Sequence, residues 1–119
     1  MGVQPTDFKK HSDRTDNDYG DEISRRCAIS RGYYYAFHLT REKGDNHPKG
    51  KFNYGPGDHG NAKKFLRKAV GKNLADDLDD LHEKRKVADY ELDNDVDEMY
   101  LSIFQHELEQ FILDIKSEL

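Results

Sequence analysis

From Val96 to Ile115 the apolar side chains Val96, Met99, Tyr100, Ile103, Phe104, Leu108, Phe111, Ile112 and Ile115 recur at helical spacing without a break. That is the period of one face of an α-helix, and it marks this stretch as the main donor to a core. No segment of the chain alternates with period two, and none is rich in β-branched residues, so strands have no source. The implied fold class is all-α, an up-and-down bundle of four to five helices. A chain of 119 residues makes one domain with a single modest core.

A second long helix is expected over residues 21–43, with Gly44 stopping it. Ile23, Cys27, Ser30, Tyr34 and Phe37 share one face of it, and Ile29, Tyr33, Ala36 and Thr40 widen that stripe. Such a helix meets neighbours on more than one side. Cys27, the sole cysteine, is expected to be a buried structural thiol; no internal disulfide is possible and a reducing compartment fits. No apolar run reaches membrane-spanning length and the N-terminus lacks the apolar core of a signal peptide. The expectation is a soluble, cytoplasmic protein with no membrane partner.

The remaining segments are less regular. Thr6, after Pro5, is a plausible cap for a short first helix marked by Phe8 and His11, and residues 16–20 read as a turn. Residues 44–60 hold several glycines and prolines and no periodicity, so they read as a long surface loop carrying His47, Lys49, Lys51 and His59. No lysine there is followed by serine or threonine as in a P-loop, and His47, Asp58 and His59 match no zinc spacing. No cofactor and no metal are expected. From about Asn61 a basic helix puts Ala62, Phe65, Leu66, Ala69 and Val70 inward and Lys63, Lys64, Arg67 and Lys68 outward, ending at Gly71. Asn73 then caps a helix whose Leu74, Leu78, Leu81 and Ala88 face the core while Asp76, Asp77, Asp79 and Asp80 form a solvated face.

The net charge of −5 hides a segregation: residues 21–73 carry 12 basic and 5 acidic side chains, residues 74–119 carry 4 and 15. A basic middle attracts a polyanion to one surface, while the overall charge opposes indiscriminate coating of nucleic acid. Alternatively the two blocks neutralise one another within the fold or across a dimer.

AISRGYYYAFHLTREKG at 28–44, DHG at 58–60 and LDDLHEKRKVADYELD at 78–93, before a terminal amphipathic helix, resemble the small prokaryotic HEPN (higher eukaryotes and prokaryotes nucleotide-binding) domains. The resemblance covers about residues 21–116. It implies a short helical bundle that dimerises, and in many members a metal-independent ribonuclease or the toxin half of a toxin–antitoxin or phage-defence system. Nuclease members carry an arginine separated by four to six residues from a histidine, and two such motifs meet across the dimer cleft. Here the motif reads Arg85-Lys86-Val87-Ala88-Asp89-Tyr90, with tyrosine at the histidine position. A second candidate lies on the long helix, where Arg31 and His38 are seven residues apart and so share a face.

Attack of an RNA 2′-hydroxyl needs a proton acceptor, a proton donor and positive charge on the phosphorane. Arginine supplies the fixed charge and histidine titrates near neutrality, whereas tyrosine, with a pKa of about 10, is a poor base. On this reading Arg31 and Arg85 hold the phosphate, His38 moves the proton, Asp89 and Tyr90 order the site, and Lys63, Lys64, Arg67 and Lys68 guide RNA toward it. Two classes of function stay open. One is an RNA-cleaving homodimer; the other is a non-catalytic module that binds a nucleotide or a protein partner such as a nucleotidyltransferase antitoxin. The bland alternatives are packed helix residues: His38 between helices, Arg31 in an ion pair, Arg85 bridged to Asp89, and Tyr33, Tyr34 and Tyr35 as core and interface.

Overall fold

The structure, a computed structural model, describes residues 22–45 and 58–119. The expected first helix near Thr6, the turn at 16–20, and His47, Lys49 and Lys51 lie outside the described residues. Four helices follow in order: α1 Glu22–Asp45, α2 Asp58–Ala69, α3 Lys72–Tyr90 and α4 Glu98–Glu118. There is no strand among the described residues, so the all-α expectation holds. α1 lies against the other three helices, α3 packs on α2 and α4 as well, and α2 and α4 do not meet.

α1 and α3 therefore form the central pair. Ile29, Tyr33 and Ala36 from α1, Ala62 and Leu66 from α2, Leu78 and Leu81 from α3, and Phe104 and Ile115 from α4 are fully buried. Burying each large apolar side chain contributes about 1.5–3 kcal/mol. Their convergence makes one continuous core.

The buried arc of α1 is rotated from the leading stripe expected above. Ile23 is 73% exposed and Cys27 is exposed, which corrects the expectation of a buried thiol. At 100° per residue, Ile29, Tyr33, Ala36 and Thr40 form a narrow arc, and Ile23 and Cys27 fall about a third of a turn away. Gly44 does not stop the helix, which runs to Asp45 with Gly44 buried. Gly71 alone among the described residues has positive φ, so Gly44 lacks the left-handed backbone by which glycine ends a helix.

Elsewhere the boundaries shift by a few residues. α2 begins at Asp58 rather than near Asn61. Gly71, with φ 112°, reverses the chain between α2 and α3 and donates its N–H to Leu66 O at 3.0 Å. This turn is so short that α3 starts at Lys72, with Gly71 in the cap position and Asn73 inside the helix. α4 has a conventional cap, Asp97 accepting from Tyr100 N at 2.8 Å. Its apolar pattern is divided between two faces: Phe104, Leu108, Phe111 and Ile115 are buried, whereas Met99 and Ile103 are 71% and 46% exposed.

Gly32 sets the approach of α1 to α4. A Cβ there would lie 2.7 Å from Phe104 Cε2 and 3.0 Å from Leu108 Cδ2. A side chain there would force Phe104 and Leu108 to shift.

Candidate functional site

The C-terminal end of α3 is held by an arginine of α1. Arg26, 9% exposed, donates Nη1 to Val87 O at 3.0 Å, Ala88 O at 3.1 Å and Glu91 O at 3.3 Å, and Nη2 to Leu92 O at 3.4 Å and to Asn94 O. A helix leaves its last carbonyls short of intrahelical partners, and here one guanidinium reaches two of them, Val87 O and Ala88 O, together with three carbonyls of the segment that follows. Glu22 offsets the charge from 3.5 Å, and its carboxylate also accepts Val96 N–H at 2.9 Å. Arg25 Nε donates to Val96 O at 2.8 Å. The start of α1 thus clamps both the end of α3 and the lead-in to α4.

On that clamped turn sit Arg85, Asp89 and Tyr90. Arg85 Nε is 2.8 Å from Asp89 Oδ2, an ionic contact in which the N–H points off the hydrogen-bond line. Its Nη2 donates to Tyr34 Oη at 3.0 Å. The guanidinium carbon lies 5.3 Å from the Tyr34 ring centroid and 5.4 Å from that of Tyr90, within cation–π range of both. Asp89 also accepts from Ser30 Oγ at 3.2 Å, and Tyr90 is 68% exposed. Arg85 is therefore a half-buried cation whose plane is fixed by three neighbours, Asp89, Tyr34 and Tyr90.

Beside it opens a shallow cleft of about 310 Å³, whose polar lining is Arg26, Ser30, Arg31 and Asp89 and whose apolar rim includes Ile23 and Leu92. Arg31 is exposed there. Of the sequence-derived set, the structure brings Arg31, Asp89 and Arg85 to one face and leaves Tyr90 at its margin.

His38 does not join them directly. Its ring centroid is 6.1 Å from Tyr34 and 5.3 Å from Phe37, so Tyr34 stands between His38 and Arg85. The seven-residue step from Arg31 puts His38 on the same side of α1 but roughly 10 Å further along its axis. Burial first, then the Arg41 and His59 charges, hold its pKa below the usual histidine range. It is neutral at pH 7 and able to accept a proton.

The three tyrosines divide as their spacing requires. Tyr33 and Tyr35 are buried and Tyr34 is half-buried, facing Arg85. In the basic group, Lys64, Arg67 and Lys68 are exposed, but Lys63 turns inward to Asp79 Oδ1 at 2.5 Å and His82 Nδ1 at 3.3 Å. That corrects the outward placement of Lys63, because Asp79 and His82 of α3 face it across the α2–α3 contact and Asp79 receives its charge.

Two histidines outside the expected set, His59 and His82, pack together on Tyr33. His59, expected in a surface loop, lies in the first turn of α2 with Nδ1 2.6 Å from Tyr33 Oη. His82 stacks on His59 with centroids 4.7 Å apart and on Tyr33 at 5.1 Å. Burial, with Lys63 and His59 nearby, lowers the His82 pKa to about 4, and burial raises that of Tyr33. The signal for His82 was its position one turn before Arg85, next to Leu78 and Leu81 on the inward side; for His59 it was the Asp-His-Gly run. Comparison with known proteins gives no matching family model, no matching curated protein and no matching solved structure.

Proposed function

We propose that this chain is a HEPN-like bundle that works as a homodimer on RNA, as a metal-independent endoribonuclease of the toxin or phage-defence kind. The observation that carries the reading is Arg85, held between Tyr34 and Tyr90 and tied to Asp89 at 2.8 Å, beside a cleft that also presents Ser30 and Arg31. A guanidinium with a fixed plane and a second, exposed arginine suit a phosphodiester, whose oxygens accept paired N–H donors. Lys64, Arg67 and Lys68 raise the local concentration of a polyanion.

In the proposed reaction the RNA 2′-oxygen attacks the adjacent phosphorus and the bond to the 5′-oxygen breaks, leaving a 2′,3′-cyclic phosphate. The 2′-hydroxyl proton is assigned to neutral His38, which stands beyond Tyr34 from Arg85 and so reaches the 2′-oxygen only with the Tyr34 side chain turned aside; the departing 5′-oxygen takes a proton back from the imidazolium. Arg31 and Arg85 neutralise the charge that builds on the phosphorane. Exposed Ile23, Cys27 and Leu92 border the cleft and offer apolar surface to a second copy, which would bring two such sites together.

A second reading rests on two specific observations. Arg85 already has its charge paired with Asp89 and one N–H given to Tyr34, and a tyrosine occupies the place of the motif histidine. Both suit a non-catalytic module that binds a nucleotide, or a protein such as a nucleotidyltransferase antitoxin.

Titration of a fluorescent single-stranded RNA separates the readings. The RNA reading expects Arg31→Ala and Arg85→Ala each to weaken binding several-fold, with the slope of affinity against salt reduced by about 0.7 per lost phosphate contact. Identical binding by wild type and both variants would remove the arginines from the assignment, and a monomer by light scattering at high concentration would remove the composite cleft.

A further inference from the structure

A different surface, on the far side of α4, is unaccounted for by the RNA reading and independent of it. Met99, Ile103, His106, Gln110 and Leu113 follow one another at steps of four and three, which puts them in a single narrow stripe along the helix. That stripe points away from the buried Phe104, Leu108, Phe111 and Ile115. All five of its residues are exposed, Met99 by 71% and Leu113 by 63%.

Acidic groups flank the stripe on both sides. Along one edge runs a small concavity of about 150 Å³ formed by Asp77 and Asp80 of α3 with His106, Glu107 and Gln110 of α4. Glu98 and Glu109 stand on the other edge, and Lys116 is the one lysine or arginine in α4. Lys84 meets Glu107 at 2.8 Å, yet carboxylates still dominate: burial first, then Asp114, Asp80, Asp76 and Glu107, raise the pKa of Asp77.

We infer that this face docks an amphipathic, cationic helix of a partner protein, its apolar side chains on Met99, Ile103 and Leu113 and its lysines or arginines against Asp77, Asp80 and Glu109. Charge complementarity selects this occupant. A second copy presenting the same face would set carboxylates against carboxylates. The chain's own basic helix, α2, exposes Lys64, Arg67 and Lys68 without exposed large apolar side chains to meet the stripe. An apolar helix side in a groove with charged rims is a recurrent mode of peptide recognition, and the acidic rim gives it speed and orientation.

The test uses the full chain and a synthetic helical peptide with leucines along one face and lysines on both flanks, followed by fluorescence anisotropy. Binding is expected at low salt and weakens as salt rises. Ile103→Ser with Leu113→Ser, and separately Asp77→Asn with Asp80→Asn, should each weaken it about tenfold or more; all four positions are polar or solvent-facing, and circular dichroism verifies the fold. Arg85→Ala should leave it unchanged. Equal binding of a scrambled peptide of the same composition, or equal binding by both double variants, overturns the proposal. So does self-association of the wild type that Ile103→Ser with Leu113→Ser abolishes, since the face would then be covered by a second copy.

Discussion

Arg26→Met tests the clamp on which the geometry of the candidate site depends. The wild-type guanidinium reaches the carbonyls of Val87, Ala88, Glu91, Leu92 and Asn94, and methionine keeps much of the stem volume while removing every donor. Hydrogen bonds to a charged group contribute about 1.5–3 kcal/mol each. The sum is far below five times that figure, because two nitrogens share four hydrogens and the buried charge carries its own desolvation cost. Residues 91–95 are exposed, so some of the freed carbonyls regain water. The net loss expected is about 2–4 kcal/mol, a large part of the 5–15 kcal/mol typical of a domain. Urea unfolding at pH 7 measures it directly, and hydrogen exchange should locate the loosening at residues 87–96. Arg26→Lys, which keeps the charge but not the fork, should recover less than half. A change under about 0.5 kcal/mol for Arg26→Met, with unaltered exchange, would refute the clamp.

The His82 pKa is lowered to about 4 in the fold from a usual 6.5, so the unfolded chain takes up the proton first; stability should be full above about pH 6.5 and fall as pH drops toward 4. The limiting slope is about 1.4 kcal/mol per pH unit per proton, and partial exposure reduces the total to about 1–2 kcal/mol; His38, shifted the same way, adds to it, and His82→Gln should flatten the profile. Gly32→Ala should destabilise by about 1 kcal/mol in thermal melts, because overpacking against Phe104 and Leu108 costs about 1–3 kcal/mol and improved helix propensity returns about 1. Cys27, exposed in the single chain, should react with a thiol reagent at high dilution as fast as in urea, and more slowly at concentrations where the proposed dimer forms; slow labelling of the dilute native protein would restore the buried thiol.

The helices were legible because their apolar residues recur at helical spacing, and the core positions Leu74, Leu78, Leu81 and Ala88 of α3 follow directly from it. The rotation of α1 was not legible. Its small and aromatic residues make two overlapping stripes, and only the partners on α3 and α4 decide that Ile29 and Tyr33 are buried while Ile23 and Cys27 are not. In α4 the same ambiguity hid the outward stripe of Met99, Ile103 and Leu113. Arg85 and Asp89, one turn apart, announced their ion pair through spacing alone. Arg26 gave no such notice, since its partners are backbone carbonyls far along the chain that carry no residue-type signal. His59 and Tyr33 meet across two helices, a juxtaposition no local pattern encodes.

Whether the Arg85 face acts on RNA, as proposed, is decided by incubating the wild type and Arg85→Ala with RNA in the presence of a chelator and analysing the fragment ends. Fragments ending in 2′,3′-cyclic phosphate are expected with the wild type and none with the variant. Intact RNA with the wild type, or the same fragments with both proteins, would contradict the proposal.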